Sequence, residues 1–232
     1  MSLAELKAEL ELTKNPEKAG IHSRFFKTGK GEYGEGSIFL GITVPVLRKI
    51  AKRYYTLNFK ELQELLNDKI QTYRFIALVI LVEVYKKGNE ETKKEIYNFY
   101  LKNLKNINNW DLVDTSCPQI IGDYLLNKDR SILYEFAKSN HLWTKRISIV
   151  STLTFIRKNQ LDDTINITEI LLKDNHDLIH KACGWMLREA GKRDQRVLES
   201  FLDKHIKEMP RTMLRNSIEK FEEEKRKNYL NK

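Results

Sequence analysis

The stretch Tyr73–Val84, YRFIALVILVEV, decides the fold class. Its apolar residues recur at helical spacing, at Tyr73, Ile76, Ala77, Ile80, Leu81 and Val84. Residues three or four positions apart share one face of an α-helix, and nowhere does the chain alternate for long enough to predict a sheet. The apolar run that ends at Val82 is far shorter than the roughly 20 residues that a membrane helix needs. The stretch therefore predicts a core helix of a protein without a membrane span.

Outward from this stretch, the helical pattern repeats along the chain. Strong helical segments begin near Gln71, Asn108, Leu142 and Asp177, a step of about 35 residues that is typical of helix-pair repeats. Such pairs stack as an α-solenoid. Because the tetratricopeptide and ankyrin consensus residues are absent, we predict an all-α, HEAT-like repeat α-solenoid of about a dozen helices, forming a single domain over residues 1–232.

Composition indicates a polyanionic partner. Among 232 residues, 41 Lys and Arg outnumber 32 Asp and Glu, which gives a net charge of +9. A positive excess favours nucleic acid as the partner. The two cysteines, Cys117 and Cys183, form no disulfide or zinc pattern, and the histidines are scattered, so we expect no metal site. With no signal segment at the N-terminus, we expect the protein to lie in a cytoplasm of bacterial type. We also expect it to be a monomer.

Basic residues take equivalent positions in the repeats. Arg74, Arg146 and Lys181 align, and Lys181, Trp185, Arg188 and Lys192 share one helical face. In a solenoid, equivalent positions form a row, so we predict a concave basic face whose cations hold phosphates while Trp185 stacks on a sugar or base. The alternatives are a tryptophan covered by lysine stems and an Arg146 that extends to solvent along apolar neighbours.

Trp110 and Asp114 lie four residues apart, on one face of a predicted helix. The ring of Pro118 would clash with the carbonyl of Asp114 in a regular α-helix, so the helix must bend or stop there. A carboxylate beside an aromatic ring can stabilise a developing positive charge or orient a water. The alternative is that Asp114 pairs with a neighbouring arginine.

The chain resembles the AlkD family of DNA alkylation repair proteins, which are HEAT-like repeat DNA glycosylases. The resemblance covers nearly the whole sequence and rests on the following motifs: Gly31–Ile42 (GEYGEGSIFLGI), Trp110–Asp114 (WDLVD), Trp143–Arg146 (WTKR), His180–Glu189 (HKACGWMLRE) and Met209–Arg215 (MPRTMLR). At Ser37 the chain departs from the family, which has Asp there. The resemblance implies a metal-independent, cofactor-free enzyme that removes positively charged purines, such as 3-methyladenine and 7-methylguanine, from double-stranded DNA.

The resemblance also implies roles for individual residues. Asp114 would be the catalytic carboxylate, with Trp110 and Trp185 as aromatic walls around the deoxyribose. Arg146 would hold the adjacent phosphate, and Phe25 would contact DNA. The family acts from the backbone side without a base pocket, and the sequence offers no separate pocket motif.

Two other functions fit the sequence. A DNA-structure-binding protein without catalysis would bind DNA in a salt-sensitive way and release no base. A HEAT scaffold for protein interactions would have an apolar or mixed concave face, which the basic row with Trp185 disfavours.

Overall fold

Helices make up the regular structure of the protein. The computed structural model describes residues 1–231 and contains fifteen α-helices and one π-helix in that range. Within the same residues the one β feature is an isolated bridge between Ile38 and Ile70. The all-α prediction is confirmed. No helix in the described chain is both long and apolar enough to cross a membrane.

The chain divides into two compact units, the first being Met1–Ser116 and the second beginning at Cys117. We call them unit one and unit two, and the single-domain interpretation stays a prediction. The helices that begin in unit one are α1 Leu3–Thr13, α2 Pro16–Phe25, α3 Val44–Ala51, α4 Phe59–Leu66, α5 Gln71–Lys87, α6 Glu90–Lys102 and α7 Trp110–Cys117. Unit two contains the π-helix Pro118–Gly122, then α8 Ser131–Ala137, α9 Leu142–Ser151, α10 Leu153–Arg157, α11 Asp162–Leu171, α12 Asp177–Arg193, α13 Gln195–His205, α14 Arg211–Ser217 and α15 Glu223–Asn231.

The helices that define the predicted repeat begin where the sequence places them. Helices α5, α9 and α12 start at Gln71, Leu142 and Asp177, and α7 starts at Trp110, two residues after the expected position. Apolar periodicity locates these starts because it reflects which face of each helix is buried. These helix starts are 39, 32 and 35 residues apart, close to the predicted step of about 35 residues.

Helix α5 is the centre of unit one. Every residue from Gln71 to Val82 is buried, so this helix is enclosed on all sides rather than on one face. Such enclosure follows from its nearly continuous apolar sequence. The side chain of Gln71, at the start of the helix, is 2 % exposed and is available to a buried polar partner.

The segment after the glycine-rich stretch is fixed between α2 and α5. The backbone N–H of Gln71 donates to the carbonyl of Ile38 at 2.8 Å, and the N–H of Leu40 donates to the Thr72 hydroxyl at 3.0 Å. Gly41 has a φ of 74°, and a Cβ there would lie 2.1 Å from the carbonyl oxygen of Asn15. Only glycine permits this turn and this close approach. The result is that Phe39 is held at a fixed position.

Helix α7 ends as the sequence predicts. It stops at Cys117, and the π-helix starts at Pro118. Proline lacks the N–H that would continue the α-helical hydrogen bonds, and a wider turn relieves the clash of its ring. The change of helix type therefore comes four residues after Asp114.

Candidate nucleic-acid interface

A cavity of about 360 Å³ opens in unit one, and we call it the aromatic cavity. Both members of the predicted pair, Trp110 and Asp114, line it. The remaining lining residues come from α2, α3, α5, α7 and the segment before α3: His22, Phe25, Phe26, Phe39, Ile42, Thr43, Val44, Leu47, Gln71, Thr72, Phe75, Asp111 and Thr115. The structure thus brings Phe25, Trp110 and Asp114 together, as candidate site residues from separate parts of the sequence.

Three aromatic rings form a stack along the cavity. Phe39 stacks on Phe26 with ring centroids 4.8 Å apart and planes 17° apart. Phe26 stacks in turn on Trp110 at 4.9 Å and 20°. Phe25 meets the Trp110 ring edge-on at 5.7 Å and 74°, and its side chain is 63 % exposed. One face of Trp110 is therefore already covered by Phe26, and Phe25 is the aromatic residue that remains open to solvent.

Asp111 is a second carboxylate at the aromatic cavity. The Gln71 amide donates to its Oδ2 atom, and the backbone N–H of Leu112 donates to its Oδ1 atom at 2.9 Å. Burial raises the pKa of Asp111 to about 7, against the lowering effect of these two hydrogen bonds, and the neighbouring charge of Asp114 raises it further. This carboxyl group therefore changes its charge near neutral pH.

The charge of the aromatic cavity is opposite to that of the protein. Two of its lining residues are aspartates, and none is lysine or arginine. Its one basic side chain is His22, whose pKa is lowered by burial and then by the charge of Lys18, so the ring is neutral at neutral pH. The aromatic cavity is thus negatively charged, although the chain as a whole has a net charge of +9.

Unit two contains a cavity of about 390 Å³ around Trp185, which we call the Trp185 cavity. Its lining combines an apolar floor with cations: Leu153, Ile156, Arg157, Trp185, Glu189, Lys192 and Arg193. Arg157 and Arg193 are exposed, and within residues 1–231 neither guanidinium has an ion-pair partner. A half-buried tryptophan with cations around it suits a sugar or base with a flanking phosphate.

The remaining cations of α12 are held in surface ion pairs. The Lys181 ammonium lies 2.7 Å from the Asp177 carboxylate, and the Lys192 ammonium lies 2.7 Å from that of Glu189. Arg188 pairs with Glu219. Ion pairs on a surface contribute about 0–1 kcal/mol, so a phosphate can replace the carboxylate at little cost.

Two predicted phosphate ligands, Arg74 and Arg146, are buried. They are 7 % and 5 % exposed. The Arg74 Nη1 atom donates to the carbonyl of Asp68 at 2.8 Å, and the Arg146 Nη1 atom donates to the carbonyl of Leu178 at 2.6 Å. Each guanidinium thus stabilises its own unit, and Arg146 does not extend to solvent along its apolar neighbours.

Several cavity residues were not predicted from the sequence. Phe26 and Phe39 line the aromatic cavity but have no periodic signal, because Phe26 follows the last residue of α2 and Phe39 lies outside the helices. Asp111 is part of the quoted motif, but its raised pKa comes from burial in the fold, against the lowering effect of Gln71, which lies 40 positions earlier. Arg157 and Arg193 lie at helix ends, outside the aligned repeat positions.

The described residues contain no group of three or more His, Cys, Asp or Glu side chains that could hold a metal ion. Both cysteines are buried. Burial raises the pKa of the Cys183 thiol, so this group is neither a nucleophile nor a metal ligand at neutral pH.

Comparison with known proteins gives one family. The family model described as "DNA alkylation repair enzyme" matches residues 6–221. No curated protein sequence matches the chain. A solved structure titled "Predicted DNA alkylation repair enzyme from Enterococcus faecalis" has a similar fold, with a TM-score of 0.70 and 18 % identity. The similarity covers 91 % of this chain and 98 % of that one.

Proposed function

Since the chain belongs to the DNA alkylation repair enzyme family, we propose that it is a DNA glycosylase that removes positively charged alkylated purines, such as 3-methyladenine and 7-methylguanine, from double-stranded DNA. The observation that carries this proposal is the aromatic cavity. It combines the carboxylate of Asp114 with aromatic rings and contains no lysine or arginine. Such a surface favours a positive charge that develops next to it.

The proposed reaction is hydrolysis of the N-glycosidic bond. The alkylated purine is already a cation, so it is a good leaving group and needs no general acid. As the bond breaks, its electron pair returns to the ring, the base leaves neutral, and the sugar becomes oxocarbenium-like. Asp114 stabilises that positive charge, as a carboxylate does in glycoside hydrolysis, and positions the water that adds to the sugar and releases a proton.

The proposed DNA contacts are phosphate contacts from cations and stacking contacts from aromatic rings. Three cations of α12 bind phosphates, the exposed Lys181 and Lys192 and the half-buried Arg188, and Arg146 holds the phosphate beside the lesion. Trp185 stacks on a sugar or base, and Phe25 contacts DNA through its exposed ring. Arg74 and Arg146 are the weakest members of this set, because both guanidinium groups are buried and bound to backbone carbonyls, at Asp68 and Leu178.

The test is the substitution Asp114→Asn, which keeps the shape of the side chain and removes its charge. Single-turnover excision of 7-methylguanine and 3-methyladenine should slow by about 10²–10³-fold, the range for one electrostatic group. Affinity for DNA with an intact lesion analogue should hold or rise, because a negative charge near the phosphates is gone. Asp162→Asn, an exposed carboxylate of unit two, is the matched control and should excise like the wild type.

Each other outcome has a defined meaning. Excision by Asp114→Asn at the wild-type rate removes this residue from the mechanism. Equal losses of binding and excision make it a structural residue. If the wild-type protein binds DNA in a salt-sensitive way and releases no base, it is a non-catalytic DNA-binding protein. If it binds neither lesion-containing nor undamaged DNA, the remaining function is that of a scaffold for protein interactions.

A further inference from the structure

We propose that Gln71 and Asp111 form a positioning pair for the proposed catalytic carboxylate, Asp114, and that the negative charge of Asp111 speeds excision; this proposal rests on the proposed function. Gln71 begins α5, and Asp111 lies in the first turn of α7, so the pair joins two helices that are separate in the sequence. The proposed hydrolysis uses Asp114 and leaves this second carboxyl group of the aromatic cavity without a role.

Gln71 connects two walls of the aromatic cavity. Its backbone N–H donates to the carbonyl of Ile38 at 2.8 Å, which fixes the segment that contains Phe39. Its side-chain amide donates to the Oδ2 atom of Asp111. The residue is 2 % exposed, and hydrogen bonds shielded from water are stronger than those on a surface. One buried residue thus holds the first turn of α7, which contains Trp110, against the segment that contains Phe39.

Asp111 and Asp114 are close enough to interact. They lie three positions apart on α7, so their side chains are neighbours on the helix, and both line the aromatic cavity. Burial, and then the charge of Asp114, raises the pKa of Asp111 to about 7. A positive charge that forms beside the two carboxylates relieves their mutual repulsion. An ionised Asp111 therefore favours the oxocarbenium-like sugar over the uncharged sugar of the bound substrate.

The groups that face Asp111 decide at which pH it becomes charged. Against the dominant effect of burial, the hydrogen bond from Gln71 and the charge of Arg74, both on α5, lower its pKa. On α7, Asp114 raises it, and on α2 the ring of His22 is neutral at neutral pH. The lining residues from α3 and from the segment before it carry no charge. With a pKa of about 7, Asp111 is mostly protonated at pH 6 and mostly ionised at pH 8.

The first test is the pH profile of single-turnover excision. The substrate is duplex DNA with 3-methyladenine, which has no ring N–H to lose and so stays a cation over this range, and spontaneous release is subtracted. If the charge of Asp111 contributes about tenfold, less than the 10²–10³-fold of a group in direct contact, the wild-type rate should rise about fivefold from pH 6 to 8. Asp111→Asn, which mimics the protonated acid, should lie within about twofold of the wild type at pH 6 and stay at that rate at pH 8.

The affinity of Asp111→Asn for undamaged DNA should equal that of the wild type, so that the loss appears in the rate alone. Asp162→Asn is the matched control and should follow the wild-type profile. A wild-type rate that is flat between pH 6 and 8, or an Asp111→Asn profile that rises as the wild type does, would overturn the proposal.

A second variant tests the pairing without changing Asp111. Gln71→Met removes the amide donor with little change in size. Because the hydrogen bond from Gln71 lowers the pKa of Asp111, its loss should move the midpoint of the excision profile to higher pH. Gln195→Met, at an exposed position of α13, is the control and should leave the midpoint in place. A rate that falls equally at every pH would show that Gln71 only packs, and the pairing would be rejected.

A measurement without base release separates this proposal from the proposed function. One duplex carries an abasic nucleotide whose sugar is replaced by a protonated pyrrolidine, which mimics the charged sugar, and the other carries a neutral tetrahydrofuran. The wild type should prefer the pyrrolidine duplex more strongly at pH 8 than at pH 6, and Asp111→Asn should lose this difference. Excision without any effect of Asp111 rejects the pair alone. A pH-dependent preference without base release rejects the glycosylase and keeps the pair as the charge control of a cation-binding surface.

Discussion

At the scale of single residues, the unusual state of Asp111 links the site to stability. A carboxyl group with a pKa of about 7 in the folded protein and an ordinary value of 3.8 keeps a proton on folding that the unfolded chain has lost. Where the folded state binds more protons, the free energy of unfolding falls as the pH rises. The raised pKa of Asp111 therefore leaves the free energy of unfolding unchanged below about pH 4. It lowers that free energy progressively between about pH 4 and 7, and the loss of stability persists above pH 7.

This reasoning predicts the effect of Asp111→Asn on stability. An amide carries no charge to desolvate, so the variant should gain stability relative to the wild type at pH 8 and show little gain at pH 4. A shift of about three pKa units corresponds to a change on the order of a few kcal/mol between the two pH values. Urea unfolding at both values measures it, with Asp162→Asn as the control. A pH-independent difference would show that the group titrates normally.

At the scale of elements, the packing of α12 against α14 depends on Gly184. A Cβ atom at this position would lie 2.6 Å from the carbonyl oxygen of Met213 and 2.6 Å from the Cβ of Asn216. A backbone atom cannot move aside as a flexible side chain can, so the two helices must separate to admit a methyl group. Helix α12 also contains Trp185 and the proposed phosphate ligands, so this contact fixes their position.

We expect Gly184→Ala to destabilise the protein by about 1–3 kcal/mol, the typical cost of overpacking. Gly20→Ala is the matched control, since Gly20 lies in α2 with no atom within 4 Å of an added Cβ. That change should stabilise the protein by about 0.5–1 kcal/mol, because alanine favours a helix over glycine. Chemical denaturation measures both, and a neutral Gly184→Ala would mean that α14 adjusts freely.

The elements were easier to predict than the site. Helix starts at Gln71 and Leu142 and the break at Pro118 follow from local rules, which need only a few neighbouring residues. The burial of Arg146 could not be predicted, because its partner carbonyl at Leu178 is 32 positions away. The stack of Phe39 on Phe26 depends on a turn at Gly41 that sequence periodicity does not describe. Contacts between distant segments carry no periodic signal, and the aromatic cavity consists of such contacts.

At the scale of the whole molecule, the net charge of +9 should dominate DNA binding. Each phosphate that a cation neutralises contributes about −0.9 to the slope of log affinity against log salt. Arg146→Ala should flatten that slope by roughly one if the guanidinium holds a phosphate. Lys204→Ala is the control, since its ammonium pairs with Glu169 at 2.8 Å outside both cavities described above. Nitrocellulose filter binding across a salt series measures both slopes, and an unchanged slope for Arg146→Ala assigns this residue a purely structural role.

The stack of Phe26 on Trp110 also gives unit one a spectroscopic signal of its own. An indole held against another ring in a fixed, asymmetric setting gives strong near-ultraviolet circular dichroism and a fluorescence that responds to whatever approaches it. The chain has three tryptophans, of which Trp143 and Trp185 lie in unit two. Replacing those two by phenylalanine leaves a protein whose entire indole signal comes from one wall of the aromatic cavity. Binding and release of a ligand at that cavity should then change the fluorescence of Trp110, which stopped-flow methods can follow without an added dye.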